Sequence, residues 1–335
     1  MGYTDAMKQS ERSQIFVEEI HKWYLRHKRA LPWRDLAIKD DSQRAYQVLV
    51  SEIMLQQTQV ERVKITYKNF LETFPTIQSL AKASNGEVIM AWRGMGYNSR
   101  ALRLRDAAIS VVKNYNTNFP KEMKELQSLP GVGHYTAAAI RNFAFNLPTA
   151  CLDTNIRRIY HRTFIGPEKA DGTWKEHDRT VLKIAEKTLE HATTYGFTAA
   201  DWHAALMDFG SLVCTMRSPK WDICPLTSAG IMKSAYKKPT PNPPVRPHPG
   251  GQPPTPKREP GRMVGSTYIP NRIFRGKFVE ELRNVPDGLS VTEVGRRICI
   301  DWDEAEHAEW IEELAEKLKK DQLIRTYKGR VLLAH

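Results

Sequence analysis

The stretch LQSLPGVGHYTAAAIRNFAFNLPTACLDTNIRR, residues 126–158, decides how the rest of the chain is read. Pro130 has no amide proton and cannot continue a helix that precedes it, so it marks a stop. Gly131 and Gly133 lie one residue apart. They let a tight hairpin adopt φ > 0 and bring bare backbone close to a partner. A helix rich in small residues follows from about His134. Amides of the hairpin and of that helix's first turn then point outward together, with the positive end of the helix dipole behind them, which makes a phosphate site. Taken alone, Gly-Val-Gly fits an ordinary helix–turn–helix corner better. The run Leu152-Asp153-Thr154-Asn155 after the helix adds a carboxylate and an amide, and these call for a chemical reading.

Composition narrows the partners. The chain has 335 residues, enough for two or three domains, with Lys plus Arg at 50 and Asp plus Glu at 38, a formal charge of +12. A basic surface of that size suits a polyanion, either nucleic acid or an anionic membrane. No apolar run approaches the roughly 18 residues a membrane span needs. The start, MGYTDAMKQSERSQ, is polar and carries acids, unlike a secretory signal. Four scattered cysteines make no disulfide framework, so a reducing, cytoplasmic setting is expected, nucleoid-associated if the source is bacterial.

Helical periodicity runs through residues 12–29 (Ile15, Val17, Ile20, Trp23, Tyr24), which end before Leu31-Pro32-Trp33-Arg34. Residues 45–74 read as one long helix. Leu49, Ile53, Gln56, Val60, Val63 and Tyr67 fall within about 40° of one line at 100° per residue, and Glu52 flanks that stripe by about 60°. A carboxylate and an amide on a buried helix face need partners or a task. Further helices are expected at 86–93, 101–115, 121–128, 134–145, 154–162, 176–192 and 198–214, with no strand before residue 320. Residues 1–237 thus form an all-α core.

From Lys237 the text turns to KKPTPNPPVRPHPGGQPPTPKREPGR, and residues 238–262 read as a semi-rigid proline-rich linker. Residues 263–335 make a small third segment. It has helices at 272–283, 292–298 and 305–320, and two strands turning at Lys328-Gly329, a pattern that suggests a winged helix. Its longest helix is acidic on the exposed side, so protein contact or packing is as plausible a role as DNA contact.

A reaction that protonates a leaving group while positive charge develops on the fragment left behind needs an acid on one side and a carboxylate beside that charge. Two carboxyl groups in different surroundings meet that need. Glu52, flanking an apolar stripe, is the candidate acid raised by desolvation. Asp153, near the hairpin helix and its amides, is expected to stay ionised.

The motifs Leu31-Pro32-Trp33-Arg34, Ser51-Glu52-Ile53-Met54-Leu55-Gln56-Gln57-Thr58, Gly94-Met95-Gly96-Tyr97, Leu129–Gly133, Leu152-Asp153-Thr154-Asn155 and Met207-Asp208-Phe209-Gly210 occur in this order. Together they resemble the helix-hairpin-helix base-excision DNA glycosylases, and within them the branch that removes adenine mispaired with guanine or 8-oxoguanine. The resemblance covers roughly residues 12–236. It implies a two-lobed all-α core in which Glu52 protonates the adenine and handles the attacking water, Asp153 stabilises or transiently bonds the sugar cation, and Asn155 orients Asp153. Tyr135 stands where strand-cleaving relatives keep a Schiff-base lysine, so base removal without a lyase step is expected. The target base must leave the stack. Gln57, Thr58 and Tyr97 resemble the residues that wedge into the duplex. Gly131, Val132, Gly133, Tyr135, Thr136 and Arg34 are placed on double-stranded DNA by the same resemblance, and a monomer is expected.

The chain departs from the family in three places. The family's iron–sulfur loop uses C-x6-C-x2-C-x5-C, but here only Cys214 and Cys224 remain, with Trp221 and Gly230 in the other two places. Four thiolates are the usual requirement, so no cluster, and no cofactor, is expected. No Nudix-like β-rich domain with a Phe-Ser-His loop appears in residues 263–335. Asn98 follows Tyr97 where the family often has a second aromatic. Two other readings stay open: a thymine or uracil mismatch glycosylase of the same fold, and a non-catalytic DNA-binding adaptor.

Overall fold

The computed structural model describes residues 8–34, 36–169, 173–233 and 259–334. Most of the expected linker, 238–262, therefore lies outside the described residues. In chain order the core helices are α1 (Gln9–His27), α2 (Asp41–Leu55), α3 (Val60–Thr73), α4 (Ile77–Lys82), α5 (Asn85–Ala91) and α6 (Ser99–Asn114). They continue with α7 (Met123–Ser128), α8 (His134–Phe145), α9 (Thr154–Tyr160), α10 (Asp178–Tyr195), α11 (Ala199–Leu212) and α12 (Pro225–Ser228). A π-turn, His161–Ile165, extends α9.

The long helix expected over 45–74 is two helices. Gln57 takes a left-handed backbone with φ +54°, and Arg100 draws off the carbonyls of Ile53 and Met54 that a continuing helix would use. Gln56 consequently sits exposed in the turn rather than on the buried stripe. Helix α4 escapes the apolar period because it is six residues long. Its start is set by a capping box, with Ser79 N–H donating to Thr76 Oγ1 at 3.2 Å and Thr76 N–H to Ser79 Oγ at 3.1 Å.

The fold divides into two compact units that do not follow chain order: Met1–Leu49, Phe119–Ser128 and Val132–Val245 in the first, Val50–Asn118, Leu129–Gly131 and Arg246–His335 in the second. The first unit is built on aromatics. Phe16 of α1 meets Phe164 edge-on at 5.2 Å and Trp202 of α11 at 5.7 Å, all buried. Arg12 reaches across this unit and donates to the carbonyls of Thr163 (3.2 Å) and Ile231 (2.7 Å).

The second unit has Phe70 packed between Phe74 and Trp92 at 5.1 and 5.9 Å. It also contains the C-terminal segment. Strands β1 (Gly261–Val264) and β2 (Thr267–Pro270) form a hairpin, followed by α13 (Asn271–Arg283), α14 (Val291–Ile298), α15 (Glu304–Lys320) and a second hairpin of β3 (Ile324–Tyr327) and β4 (Arg330–Leu333). Leu289 bridges to Val331, completing the wing. The hairpin at 261–270 corrects the expectation of no strand before 320 and of a linker reaching 262. Four-residue strands around a Gly265-Ser266 turn are too short to show alternation. Phe274, Phe278, Ile311, Leu314 and Leu318 form one buried cluster with Ile89 of α5 and Leu102 of α6.

Candidate active site

In the first unit, the helix α8 begins at Gly133 with no side-chain cap, so the amides of its first turn stay available. Gly131 has φ +76°, and a methyl group there would come within 3.1 Å of Arg103 Cβ. Gly131 alone supplies the positive φ; Gly133, at φ −87° and ψ −179°, is extended, a conformation open to any residue. Val132 and Thr136 are buried, so only their backbones can face a phosphate. Tyr135 lies half-buried in the first turn of α8.

Asp153 caps α9. Its Oδ1 accepts from the Ile156 amide at 2.6 Å, and Asn155 Nδ2 donates to its Oδ2 at 3.3 Å. Burial pushes the carboxyl up from its ordinary value, and the Ile156 and Asn155 amides together with Arg158 only partly offset it. Behind it, Arg158 is buried and donates to Asn155 Oδ1 (2.6 Å), Gly210 O (2.8 Å) and Cys214 O (2.6 Å). Gly210 lets α11 approach: a methyl group there would meet Asn155 Cβ at 2.6 Å. Arg158, Asn155 and Asp153 are thus one fixed chain. Arg158 was legible only as a charge, and Gly210 only as part of a motif.

Arg34, expected on DNA, is engaged by a buried carboxylate of its own unit. Its guanidinium, 7% exposed, donates to both carboxylate oxygens of fully buried Asp208 at 2.7 and 2.9 Å, and Arg29 Nε donates to the same group at 2.6 Å. Arg34 tethers the loop after α1 to α11 through a bidentate pair.

In the second unit, Glu52 is 8% exposed on the last turn of α2. Beyond it, Gln57 and Tyr97 both hold left-handed backbones, at φ +54° and +45°, a costly state for residues with side chains. Tyr97 is 52% exposed. Arg100, which sequence reasoning missed, joins the two turns. Nη1 donates to the carbonyls of Ile53 (3.1 Å), Met54 (3.2 Å) and Gln56, while Nη2 donates to Thr58 Oγ1 (3.1 Å) and to the carbonyls of Met95 (3.1 Å) and Gly96 (3.2 Å). Its guanidinium also lies over the rings of Trp92 and Tyr97 at 5.4 and 5.6 Å. Gln57, Thr58 and Tyr97 are therefore brought together as expected from their motifs. Asn98 is buried and accepts from Arg283 Nη2 at 3.2 Å.

The thiols of Cys214 and Cys224 are buried, and burial pushes the Cys214 thiol up while Arg162 Nη1 approaches its Sγ at 3.6 Å. Arg162 also binds Glu168 and the carbonyls of Thr215 and Met216, and lies 5.5 Å over the Trp221 ring. Among the described residues no group of three or more His, Cys, Asp or Glu could hold a metal ion. Two thiols with an indole and a glycine in the remaining places do not fit a four-thiolate cluster.

A glycine hairpin opening a helix, followed by an aspartate capping the next, places the fold among the helix-hairpin-helix DNA glycosylases. The HhH-GPD superfamily base excision DNA repair protein model matches residues 50–190. An adenine DNA glycosylase of Mycolicibacterium smegmatis is 34% identical over 266 residues, 79% of this chain and 80% of that protein. One of Mycobacterium tuberculosis is 36% identical over 313 residues, 93% and 91% of the two chains. Among solved structures, a thermostable thymine-DNA glycosylase is 27% identical with a TM-score of 0.57, covering 66% of this chain and 95% of its own. The chain belongs to the adenine DNA glycosylase family of that superfamily.

Proposed function

We propose that this protein is a monofunctional DNA glycosylase that hydrolyses the N-glycosidic bond of an adenine mispaired with guanine or 8-oxoguanine, initiating base excision repair on double-stranded DNA. The observation that carries the reading is the fixed chain Arg158–Asn155–Asp153, which holds a desolvated carboxylate at a helix N-terminus. In this reading Glu52 delivers the proton to the departing base and then takes one from water. Asp153 stands against the sugar as positive charge develops there. Desolvation makes the ionised Asp153 stronger in that task than it would be in water. Gln57, Thr58 and Tyr97 fill the space the adenine leaves, and the Gly131–Gly133 amides receive a phosphate. Tyr135 offers no amine, so no imine forms with the abasic sugar. We further propose that the Cys214–Cys224 loop works without an iron–sulfur cluster, held instead by Arg162 and Trp221, and that the protein acts as a monomer.

The likeness to a thymine-DNA glycosylase supports a second reading, release of thymine or uracil opposite guanine. Duplexes carrying A:8-oxoG, A:G, T:G and U:G, treated with alkali after incubation, separate the two. Strand breaks at adenine, and only after alkali, are expected. Breaks at thymine with adenine untouched would overturn the leading reading, and breaks without alkali would overturn the monofunctional assignment.

A further inference from the structure

Within the second unit the turns bearing Gln57, Thr58 and Tyr97 form one wall of a cleft of about 570 Å³, and the N-terminal half of α13 forms the other. Four cations line it (Arg62, Arg272, Arg275 and Lys277), and no carboxylate does. Arg272 is partnered by Glu259 and Arg275 by Asp321, whereas Arg62 and Lys277 are exposed and form no ion pair among the described residues. The remaining lining is uncharged, and its aromatic ring, Tyr97, is half exposed. A cleft with an exposed ring and the unpaired Arg62 on one wall, and the unpaired Lys277 beside two paired arginines on the other, suits a nucleotide: a base face on the ring, phosphates on the cations. Four acidic residues of this segment, Glu309, Glu312, Glu313 and Glu316, lie on α15 outside this lining.

We infer that α13 is a DNA-contacting element, and that Lys277 and Arg272, with Arg62 facing them, grip the sugar–phosphate backbone of the strand opposite the excised base. This rests on the glycosylase reading insofar as Gln57 and Tyr97 are the wedge: the strand they leave unpaired is the one the cleft receives. The C-terminal segment thereby becomes part of the substrate surface rather than an appended module.

The test is phosphate footprinting of the full-length protein on a duplex with a tetrahydrofuran abasic analogue opposite guanine, which does not depend on which base is removed. The wild type is expected to protect phosphates beside the orphaned guanine. The Arg272→Ala/Lys277→Ala variant should lose that protection and keep protection on the strand carrying the analogue. Each phosphate no longer neutralised flattens the log–log salt dependence by about 0.9, so the slope should fall by about 1.8 and affinity by roughly tenfold near physiological salt. Lys277→Gln alone, at an exposed unpaired site, should give about half that slope change with an unaltered melting curve. Lys319→Ala on α15, of equal charge in the same segment, should change neither. A double variant with wild-type footprint and slope overturns the inference, as does loss of protection spread equally over both strands. Wild-type protein that shows this footprint yet leaves adenine in place overturns the activity assignment alone.

Discussion

Arg100→Lys isolates what joins the two strained turns. The guanidinium serves two acceptor sets at once, the α2 end with Nη1 and Thr58, Met95 and Gly96 with Nη2. A lysine keeps the charge but brings one nitrogen, which can satisfy only one of the sets. Three acceptors around a buried cation are then given up, two of them main-chain carbonyls. Hydrogen bonds to charged groups contribute about 1.5–3 kcal/mol each, but the turns border an open cleft where water replaces part of that. A net loss of about 2–3 kcal/mol is expected. For a chain of 335 residues that lowers the melting temperature by about 3–4 °C. A purely structural role would end there. If Arg100 positions the wedge, Gln57 and Tyr97 should also relax from left-handed backbones that cost on the order of 1–2 kcal/mol each. The readout is 2-aminopurine fluorescence at the target site, which rises when the base unstacks. The variant should bind DNA yet show a reduced rise below its melting range. A full fluorescence rise together with wild-type melting would refute the reasoning.

Four other outcomes follow from the same geometry. Asp153→Asn should abolish base release while binding persists, and should raise the melting temperature at neutral pH. A carboxyl whose folded pKa lies above its unfolded value favours the fold when protonated and loses that advantage as pH rises through the folded pKa, so the gain should vanish in acid; a lower melting temperature at pH 7 would contradict this. Gly210→Ala, whose methyl group would meet Asn155 Cβ at 2.6 Å, should cost about 1–3 kcal/mol and depress activity through Asn155, as measured by denaturant unfolding and single-turnover kinetics. His203 is fully buried between the Ala199 carbonyl and Asn142, and burial holds its pKa down at about 4. Unfolding releases a group that binds a proton more readily, so stability should be full above about 6.5 and fall by roughly 3 kcal/mol as pH drops to about 4; His203→Gln should flatten that slope in urea melts. Protein purified from iron-rich culture should lack sulfur-to-iron charge-transfer absorbance, and a brown protein with four irons would remove the assignment of the Arg162–Trp221 loop.

What could be read in the sequence depended on how far each signal reached along the chain. Pro130, Gly131 and the capping Asp153 act within a few residues of themselves, and both the hairpin and the start of α9 lie where their chemistry put them. The helix break after Leu55 was not local. Nothing between Leu49 and Val60 forbids a continuous helix; the break depends on Arg100, more than forty residues later, taking the carbonyls of Ile53, Met54 and Gln56. The pairing of Arg34 was hidden for a related reason. Its partner Asp208 is 174 positions away, and an arginine beside a recognised motif gives no sign of the buried carboxylate that engages it. The two hairpin glycines divide the expected tasks: Gly131 takes the positive φ, and Gly133 is extended.

Asn98 shows how two departures from the family pattern belong to one arrangement. The position after Tyr97 is buried, and its amide oxygen accepts from Arg283 at the end of α13; the same guanidinium also donates to the Ile89 carbonyl at 3.0 Å. Around it, Arg93 pairs with Glu280 at 2.8 Å, and Ile89 and Leu102 complete the apolar cluster of Phe278 and Leu282. An aromatic at position 98 would remove one acceptor from a buried guanidinium that keeps Glu280 and the Ile89 carbonyl, a loss of about 1.5–3 kcal/mol for a hydrogen bond to a charged group. The amide at 98 and the small helical C-terminal segment are thus physically coupled: the packing that an aromatic would provide elsewhere has been exchanged for an anchor. With α13 fixed at its end by Arg283, its first turns and their cations are held along the turns of Gln57 and Tyr97, and the segment cannot be removed without exposing Ile89 and Leu102 to water.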